Sequence, residues 1–447
     1  MSSGLSDALR LFIHRRFYTK KQIHDYQERE LRCLIKLSRQ NSSFYKAHLS
    51  GLTIDSLRDL ASVPSINKEI LMANFDCLNT VGLIRSDVQD YAVQKELDCD
   101  YLGYYQDKFV IGMSSGTSGN KGLYITPREL TKKLPFVFLA RGGILLRYLP
   151  FRILFCLRVF GQGFADINSP VVKLSYCSTM TPIDEIVAML NTKRINILMA
   201  PPSLIRLLIP LLGDIRIKLK QIVCYAEVLE KEEKERFKRI FNTDIVEIYQ
   251  ASEGQIASAC SHGTLHINED LVIVECHDEN GNIIDQPGIV ASHMYVTNLI
   301  NTAQPLIRYE MNDLIALGEP CPCGSKFRTI DHILGRNDDI LRFQTADGSI
   351  RTVFPDLFSR WIITTSDAIR EYQVFQRNRK SVEIHIELLP LIESDQSVIL
   401  EQLSRRIRGE LGVWKITADI EIYVVKIELP ANHAKFKRFI VDNLSSQ

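Results

Sequence analysis

The stretch Met113-Ser114-Ser115-Gly116-Thr117-Ser118-Gly119-Asn120-Lys121-Gly122 lies between the apolar runs Val110-Ile111 and Leu123-Tyr124-Ile125. It reads as strand, tight loop, strand. Its three glycines let the backbone turn sharply and approach a ligand closely. Its four hydroxyls and single lysine supply donors that suit a polyphosphate. The Walker spacing Gly-x4-Gly-Lys-Ser/Thr is absent, and a strand follows where a Walker loop would open a helix. A Ser/Gly/Thr loop by itself also serves as a plain turn, so its meaning depends on the rest of the chain.

At 447 residues the chain exceeds one ordinary core, which predicts two or three domains. Apolar content of 45% and charged content of 24% suit a globular enzyme. With 54 basic against 53 acidic residues, no global field recommends nucleic acid as a partner. Arg10, Arg15, Arg16, Lys20 and Lys21 surround Leu9, Leu11, Phe12 and Ile13, which reads as a solvated first helix or a membrane-surface one. The apolar region 136–157 is interrupted by Arg141, Arg147 and Arg152, which argues for a buried helix and strand and against a membrane span. No apolar stretch leads to a small-residue cleavage site, so no signal peptide is expected. Ten irregularly spaced cysteines predict reduced thiols and a cytoplasmic location.

Leu31, Leu34, Ile35 and Leu37 mark a helical first hundred residues, followed by a connecting segment over 53–64. From about Val110 to Ile300, β-rich runs (153–157, 195–199, 221–225, 245–249) alternate with helical stretches at 182–190 and 203–212. The expected fold class is therefore α/β, with a large layered N-terminal domain on a largely parallel sheet. After Gly335 the pattern changes. Val382, Ile384, Ile386 and Leu388 alternate with Glu383, His385 and Glu387, and Ile399, Leu403, Ile407 and Leu411 mark a helix before a strand at 420–424. This predicts a small α+β C-terminal domain, with domains at 1–337 and 338–447.

Five further patches join the loop: Tyr225-Ala226-Glu227-Val228-Leu229, Tyr249-Gln250-Ala251-Ser252-Glu253-Gly254, Arg308-Tyr309-Glu310-Met311-Asn312-Asp313, Gly335-Arg336-Asn337-Asp338-Asp339 and Lys435-Phe436-Lys437-Arg438. In this order they make the chain resemble the adenylate-forming superfamily of acyl-CoA synthetases, in particular its phenylacetate-CoA ligase and coenzyme F390 synthetase-like branch. The resemblance spans nearly the whole chain, including Ser43-Phe44-Tyr45 and Asn67-Lys68-Glu69-Ile70-Leu71-Met72.

The resemblance implies a role for each matching residue. Ser115, Gly116, Thr117, Ser118, Gly119 and Lys121 would cradle the phosphates of ATP. Ala226 and Glu227 would flank adenine, with Tyr249 on its other side and Ser252 close by. Glu253 would hold Mg²⁺, a hard cation that takes carboxylate oxygen. Asp313 would accept the ribose hydroxyls with help from Arg336. Asp338 would be the hinge of a mobile small domain. Lys435 would be the adenylation lysine, with Thr117 and Glu253 sharing in catalysis.

The chain also departs from the family pattern. Gly119-Asn120-Lys121-Gly122 is one residue shorter than the family's Gly-x-Pro-Lys-Gly, and Tyr309-Glu310-Met311-Asn312-Asp313 keeps only the ends of Tyr-Arg-Thr-Gly-Asp. Ala434 stands where glycine usually precedes the lysine, which leaves Lys435 and Lys437 both open.

Cys321-Pro322-Cys323-Gly324 forms a tight knuckle, with Cys260, His262 and His266 upstream. Three thiolates and one imidazole would complete a closed tetrahedral Zn²⁺ site. Either histidine could serve. The Leu265-His266-Ile267 context resembles that of the phenylacetate ligase-like branch, which favours His266.

The resemblance implies that ATP and a small carboxylic acid, aromatic in this branch, give an acyl-adenylate, and that a thiol, coenzyme A first of all, then takes the acyl group. A carrier protein or an amine as acceptor stays open, as do a nucleotide-binding protein without ligase turnover and a homodimer.

Overall fold

The computed structural model describes residues 2–98, 103–113, 122–141, 148–157, 171–179, 181–389, 396–427 and 436–442. Its centre is a nine-stranded sheet. Five strands (Val172–Cys177, Phe151–Cys156, Ile197–Ala200, Gln221–Cys224 and Asp244–Ala251) pair in parallel, in that spatial order. Beyond them Gly254–Ala259, Leu265–Ile267, Thr329–Arg336 and Asp313–Gly318 continue the sheet antiparallel.

The parallel half follows from near-continuous apolar runs. Every residue of Ile197–Ala200 and of Gln221–Cys224 is buried, as strands covered on both faces must be. Successive side chains serve opposite cores. Ile197, Met199 and Val223 join the main cluster, whereas Leu198, Ala200, Ile222 and Cys224 pack under the helices Ile183–Thr192, Pro202–Leu208 and Lys231–Phe241. In the antiparallel half Asp244–Ala251, Gly254–Ala259 and Leu265–Ile267 follow one another through turns, whereas a separate three-stranded sheet (Val272–His277, His293–Asn298, Tyr309–Met311) intervenes in the chain before Asp313–Gly318.

The opening stretch does sit between strands. Phe109–Met113 and Leu123–Pro127 form an antiparallel hairpin with Met113 opposite Leu123. Gln304 and Asn301 tie this hairpin to the main body. Gln304 accepts from the Ile125 N–H at 2.9 Å and donates to the Leu123 carbonyl at 3.1 Å, and Asn301 donates to the Ile125 carbonyl at 2.8 Å.

The C-terminal part buries an apolar cluster of its own, from Leu341 and Phe343 to Phe439. It contains a four-stranded sheet (Asp419–Val424, Ser381–Leu388, Ile369–Asn378, Phe439–Val441) packed with helices Pro355–Ile363 and Gln396–Val413. Between the two units, Asn337–Asp339 forms a single 3₁₀ turn, and Asn312 donates to the Asp338 carboxylate at 2.7 Å.

Candidate active site

The Gln221–Cys224 strand ends opposite Glu247, and its neighbour Asp244–Ala251 runs on past it; open α/β sheets bind ligands at such carboxyl ends. Tyr249 lies at this edge. Its hydroxyl donates to Asp313 at 2.6 Å, which bridges the parallel half of the sheet to its far antiparallel edge. Asp313 opens the Asp313–Gly318 strand directly opposite Arg336, whose Nε lies 3.6 Å from the carboxylate. Sheet register pairs Asp313 with Arg336, and the Tyr249 side chain reaches them across the intervening strands. Burial, reinforced by the Asp313 carboxylate, holds the Tyr249 phenol well above its ordinary pKa, so it stays a neutral donor.

Glu253 follows the exposed turn residue Ser252 and accepts from the Tyr124 hydroxyl at 2.6 Å. The Tyr309 hydroxyl lies 3.3 Å from that of Tyr124. Asn298 donates to the Glu253 carbonyl at 2.8 Å, which fixes the turn. Burial pushes the Glu253 carboxyl up, and the Tyr124 hydrogen bond pulls it partly back. A carboxylate held by neutral phenols is ready for a cation from outside the protein, and its oxygens suit Mg²⁺. Tyr124 is the second residue of the hairpin's returning strand, so Glu253 stands beside the base of the Ser/Gly/Thr loop.

Ala226 is exposed and adopts a left-handed backbone, φ 66°, just past the strand end. Next to it, Glu227 accepts from both the amide of Ser203, at 2.9 Å, and its hydroxyl, at 2.7 Å. Glu227 is thereby tied to the start of helix Pro202–Leu208.

Ser115, Gly116, Thr117, Ser118, Gly119, Lys121 and Lys435 lie outside the described residues. Lys437 is described, and its carbonyl accepts from the Gln373 side chain at 2.9 Å. The sequence also suggests the apolar stretch 136–145 as one wall of an acid pocket; it is described only up to Arg141, the last residue of helix Arg128–Arg141. Arg141 is 1% exposed and pairs with Asp270. Its guanidinium carbon lies 5.2 Å from the ring centroid of Phe327, so it is committed to the interior.

At the metal knuckle, the ligand atoms of Cys260, His266, Cys321 and Cys323 all lie within 4.8 Å of one another. The Cys260 and Cys321 sulfurs are 3.6 Å apart, and Cys323 Sγ is 3.4 Å from His266 Nε2. These separations match the edges of a tetrahedron with bonds of about 2.0–2.3 Å. His266 Nδ1 faces the Phe327 carbonyl at 3.2 Å, which leaves Nε2 as the ligating nitrogen. Burial, aided by Arg15, lowers the His266 pKa to about 4, so the imidazole is neutral. His262 is exposed and offers the cluster only its backbone N–H, 3.3 Å from the Cys260 sulfur. Donor set and tautomer both fit Zn²⁺.

The sequence reading assigned Tyr124, Tyr309 and Asn298 no role, although Tyr309 lies inside a patch it singled out. A tyrosine inside an apolar strand looks like core, and only the folded register shows its hydroxyl aimed at Glu253. A second unforeseen cluster joins the two units. Arg206 Nε is 3.1 Å from Glu371, and its Nη1 is 3.3 Å from Glu233. Arg438 reaches Glu371 at 2.9 Å. These residues are far apart in the chain, and no local pattern marks them.

No protein-family model matches the chain. Over 222 residues it is 24% identical to Protein CapK of Staphylococcus aureus, a match covering 49% of this chain and 45% of that protein. The chain thus spans about half the length of this curated relative. Among solved structures, 2-hydroxyisobutyryl-CoA ligase in the postadenylation state, in complex with 2-HIB-AMP, superposes with a TM-score of 0.73 at 15% identity, covering 96% of this chain and 92% of that one. The same ligase in its thioesterification state gives 0.58 at 16% identity, covering 96% and 91%. A benzoate CoA ligase from Burkholderia xenovorans LB400 gives 0.52 at 17% identity, covering 74% and 68%. The chain has the fold of the adenylate-forming acyl- and aryl-CoA ligases.

Proposed function

We propose that the protein is an adenylate-forming ligase, closest to the phenylacetate-CoA ligase-like branch, that activates a carboxylic acid with ATP and passes the acyl group to a thiol. The observation that carries this reading is the convergence of Tyr249–Asp313–Arg336 and Tyr124–Glu253 at adjoining strand ends beside the Ser/Gly/Thr hairpin. Asp313, already accepting from a tyrosine, has the oxygens to accept ribose hydroxyls. Ala226 and Glu227 border the adenine side, and Ser252 with the 115–121 loop the phosphate side. Glu253 would hold Mg²⁺, which would supply charge compensation for the phosphates.

The substrate carboxylate oxygen attacks the α-phosphorus, the bond to the bridging oxygen breaks, and pyrophosphate leaves. The carboxylate is already a nucleophile, so no protein base is needed and catalysis rests on positioning and charge. Lys435 stabilises the developing charge, with Lys437 the other candidate. The thiol, that of coenzyme A, then attacks the acyl carbonyl and releases AMP and a proton. We place the domain boundary at 337/338, with Asp338, held by Asn312, as the hinge. The Cys260, His266, Cys321 and Cys323 cluster is a structural Zn²⁺ site, since four protein ligands leave no open position. Reduced thiols of this kind suit the cytoplasm.

Acid-dependent exchange of pyrophosphate into ATP, over a panel of benzoates, arylacetates and fatty acids, tests the first step. An aromatic acid is expected to give the highest rate. No exchange with any acid, although ATP binds, overturns ligase turnover. If the adenylate forms and coenzyme A fails to discharge it, the acceptor is a carrier protein or an amine. Lys435→Ala is expected to abolish exchange while still converting a supplied acyl-adenylate. Equal losses in both steps transfer the role to Lys437.

A further inference from the structure

The first helix, Ser2–Phe17, is fixed by its inner face. Leu11 is buried in the main core. His14 Nδ1 lies 3.0 Å from Asp270, the same carboxylate that pairs with Arg141. Arg15 donates to the Ser258 carbonyl at 3.0 Å and to the Arg141 carbonyl at 3.3 Å, and Arg16 donates to the Cys323 carbonyl beside the metal knuckle. With the inner face committed in this way, the helix cannot roll to bury its other side.

That other side is apolar. Leu9 is 60% exposed, Phe12 50%, Ile13 39% and Phe17 65%. Spacings of three, four and five residues place them on one stripe of the helix. The Phe12 and Phe17 rings meet edge to face at 6.3 Å, so they form a continuous surface. Beside the stripe runs an open groove of about 390 Å³, whose lining includes Leu9, Ile13, Tyr18 and Tyr26 with Arg10 and Arg29. Basic residues frame this surface. Of the five lysines and arginines in the first 24 residues, Arg15 and Arg16 serve the inner face and Arg10, Lys20 and Lys21 remain, while the whole chain is close to neutral at +1. Arg10, Lys20 and Lys21 are exposed, and Asp7 is neutralised by Arg10 at 3.1 Å.

We propose that this helix is a docking surface for an anionic lipid bilayer, lying flat with Leu9, Phe12, Ile13 and Phe17 in the acyl boundary. The sequence pattern of aromatic and aliphatic residues on one face, with lysine and arginine at its edges, is that of an interfacial helix. Area argues against a second copy of the chain as the occupant. Four side chains on a helix about 24 Å long offer a few hundred Å², below the ~800 Å² per partner of stable interfaces. Cationic edges facing each other across such a dimer would also repel. Against an anionic headgroup layer they attract, at about 1 kcal/mol for each charge near the surface.

Cosedimentation with vesicles tests the proposal, using phosphatidylcholine alone and phosphatidylcholine mixed with phosphatidylglycerol. The full chain is expected to pellet with the anionic vesicles, weakly with neutral ones, and less as salt rises. Phe12→Asp with Phe17→Asp should weaken vesicle binding about tenfold or more, and Lys20→Ala with Lys21→Ala should weaken it on anionic vesicles only. Both pairs are exposed, so the melting temperature should not move. Equal pelleting of wild type and the Phe12/Phe17 variant overturns the proposal, as does pelleting that ignores lipid charge. A dimer in light scattering that the same variant converts to monomer also overturns it and assigns the face to a second copy.

Discussion

Two groups of carboxylates in this molecule, one half-buried and one buried, are built on opposite plans. Glu253 and Asp313 lie within the large unit and take their hydrogen bonds from the phenols of Tyr124 and Tyr249. Glu233 and Glu371 straddle the two units and face the guanidinium of Arg206. Burial opposes the charge on Arg206, but Glu233, Glu371 and Glu227 together outweigh it and hold its pKa above the usual value. The second group satisfies its own charge. The first leaves negative charge partnered mainly by neutral donors, with Arg336 only at 3.6 Å from Asp313. The roles proposed for the first group, holding a cation and accepting ribose hydroxyls, would require such incompleteness, whereas an internal fastener requires the reverse.

The largest effect should come from breaking the fastener. Arg206→Ala leaves Glu233 and Glu371 buried without their cation, an arrangement that costs about 3–5 kcal/mol. Adding Glu233→Gln and Glu371→Gln should recover most of that loss, because the penalty lies in the uncompensated charge. Urea unfolding followed by tryptophan fluorescence reads this well, since the chain's two tryptophans, Trp361 and Trp414, both belong to the C-terminal unit. A triple variant as unstable as Arg206→Ala would mean that packing, not charge, holds the contact.

The open group should answer differently. Glu253→Gln keeps an acceptor for Tyr124 and removes only the charge. Pyrophosphate exchange should fall about a hundredfold, or about 3 kcal/mol in transition-state stabilisation, while the urea midpoint stays put or rises. Extra Mg²⁺ should restore little. If stability falls with activity, Glu253 is as structural as Glu233 and the contrast fails.

The metal knuckle lies between these plans, since its four donors complete each other only around an ion. Cys321→Ser should release zinc, measured by elemental analysis, and lower the melting temperature. Zinc-free wild type with melting equal to the variant's would leave the knuckle as a turn.

Legibility in the sequence followed the same division. Four of the five parallel strands and the small domain could be read because one face, or both, had to be apolar; Val172–Cys177, with Lys173 and Ser175 in it, was missed. The pattern at 382–388 became the strand Ser381–Leu388, and the Ile399-to-Leu411 spacing became the buried face of helix Gln396–Val413. The knuckle could be read because two of its three thiols, Cys321 and Cys323, come from one tight turn. The antiparallel strands at 254–259, 265–267 and 329–336 carry His266 of the metal cluster and Arg336 beside Asp313, with Gln255, Ser258, Asp331 and His332 among their apolar residues, which blurs any period. Tyr124 reaches Glu253 across 129 positions and Arg206 reaches Glu371 across 165, distances over which composition and spacing carry no signal. Resemblance supplied the ordered site residues. It could not supply the partners that set their charge.

The smallest expected effect concerns Glu371. Burial, with Arg206 working against it and Glu233 and Glu227 adding to it, raises its pKa from the ordinary 4.5 to about 7. The folded protein therefore binds a proton more tightly at this position than the unfolded chain does. Stability from this group is fully present below about pH 4.5 and is lost as pH rises through about 7. Between pH 5.5 and 7.5 the loss amounts to about 2 kcal/mol, and Glu371→Gln should not show it. The gap between wild type and variant in urea midpoint should then narrow or reverse as pH rises across that window. Arg206, Arg438, Glu227 and Glu233 face Glu371 and remain in both proteins, so most of their own pH response cancels in the difference. A gap that widens with pH would mean that the Arg206 pairing outweighs burial and keeps Glu371 ionised. The fastener would then owe its strength to the ion pair, and its difference from the open site would be greater still.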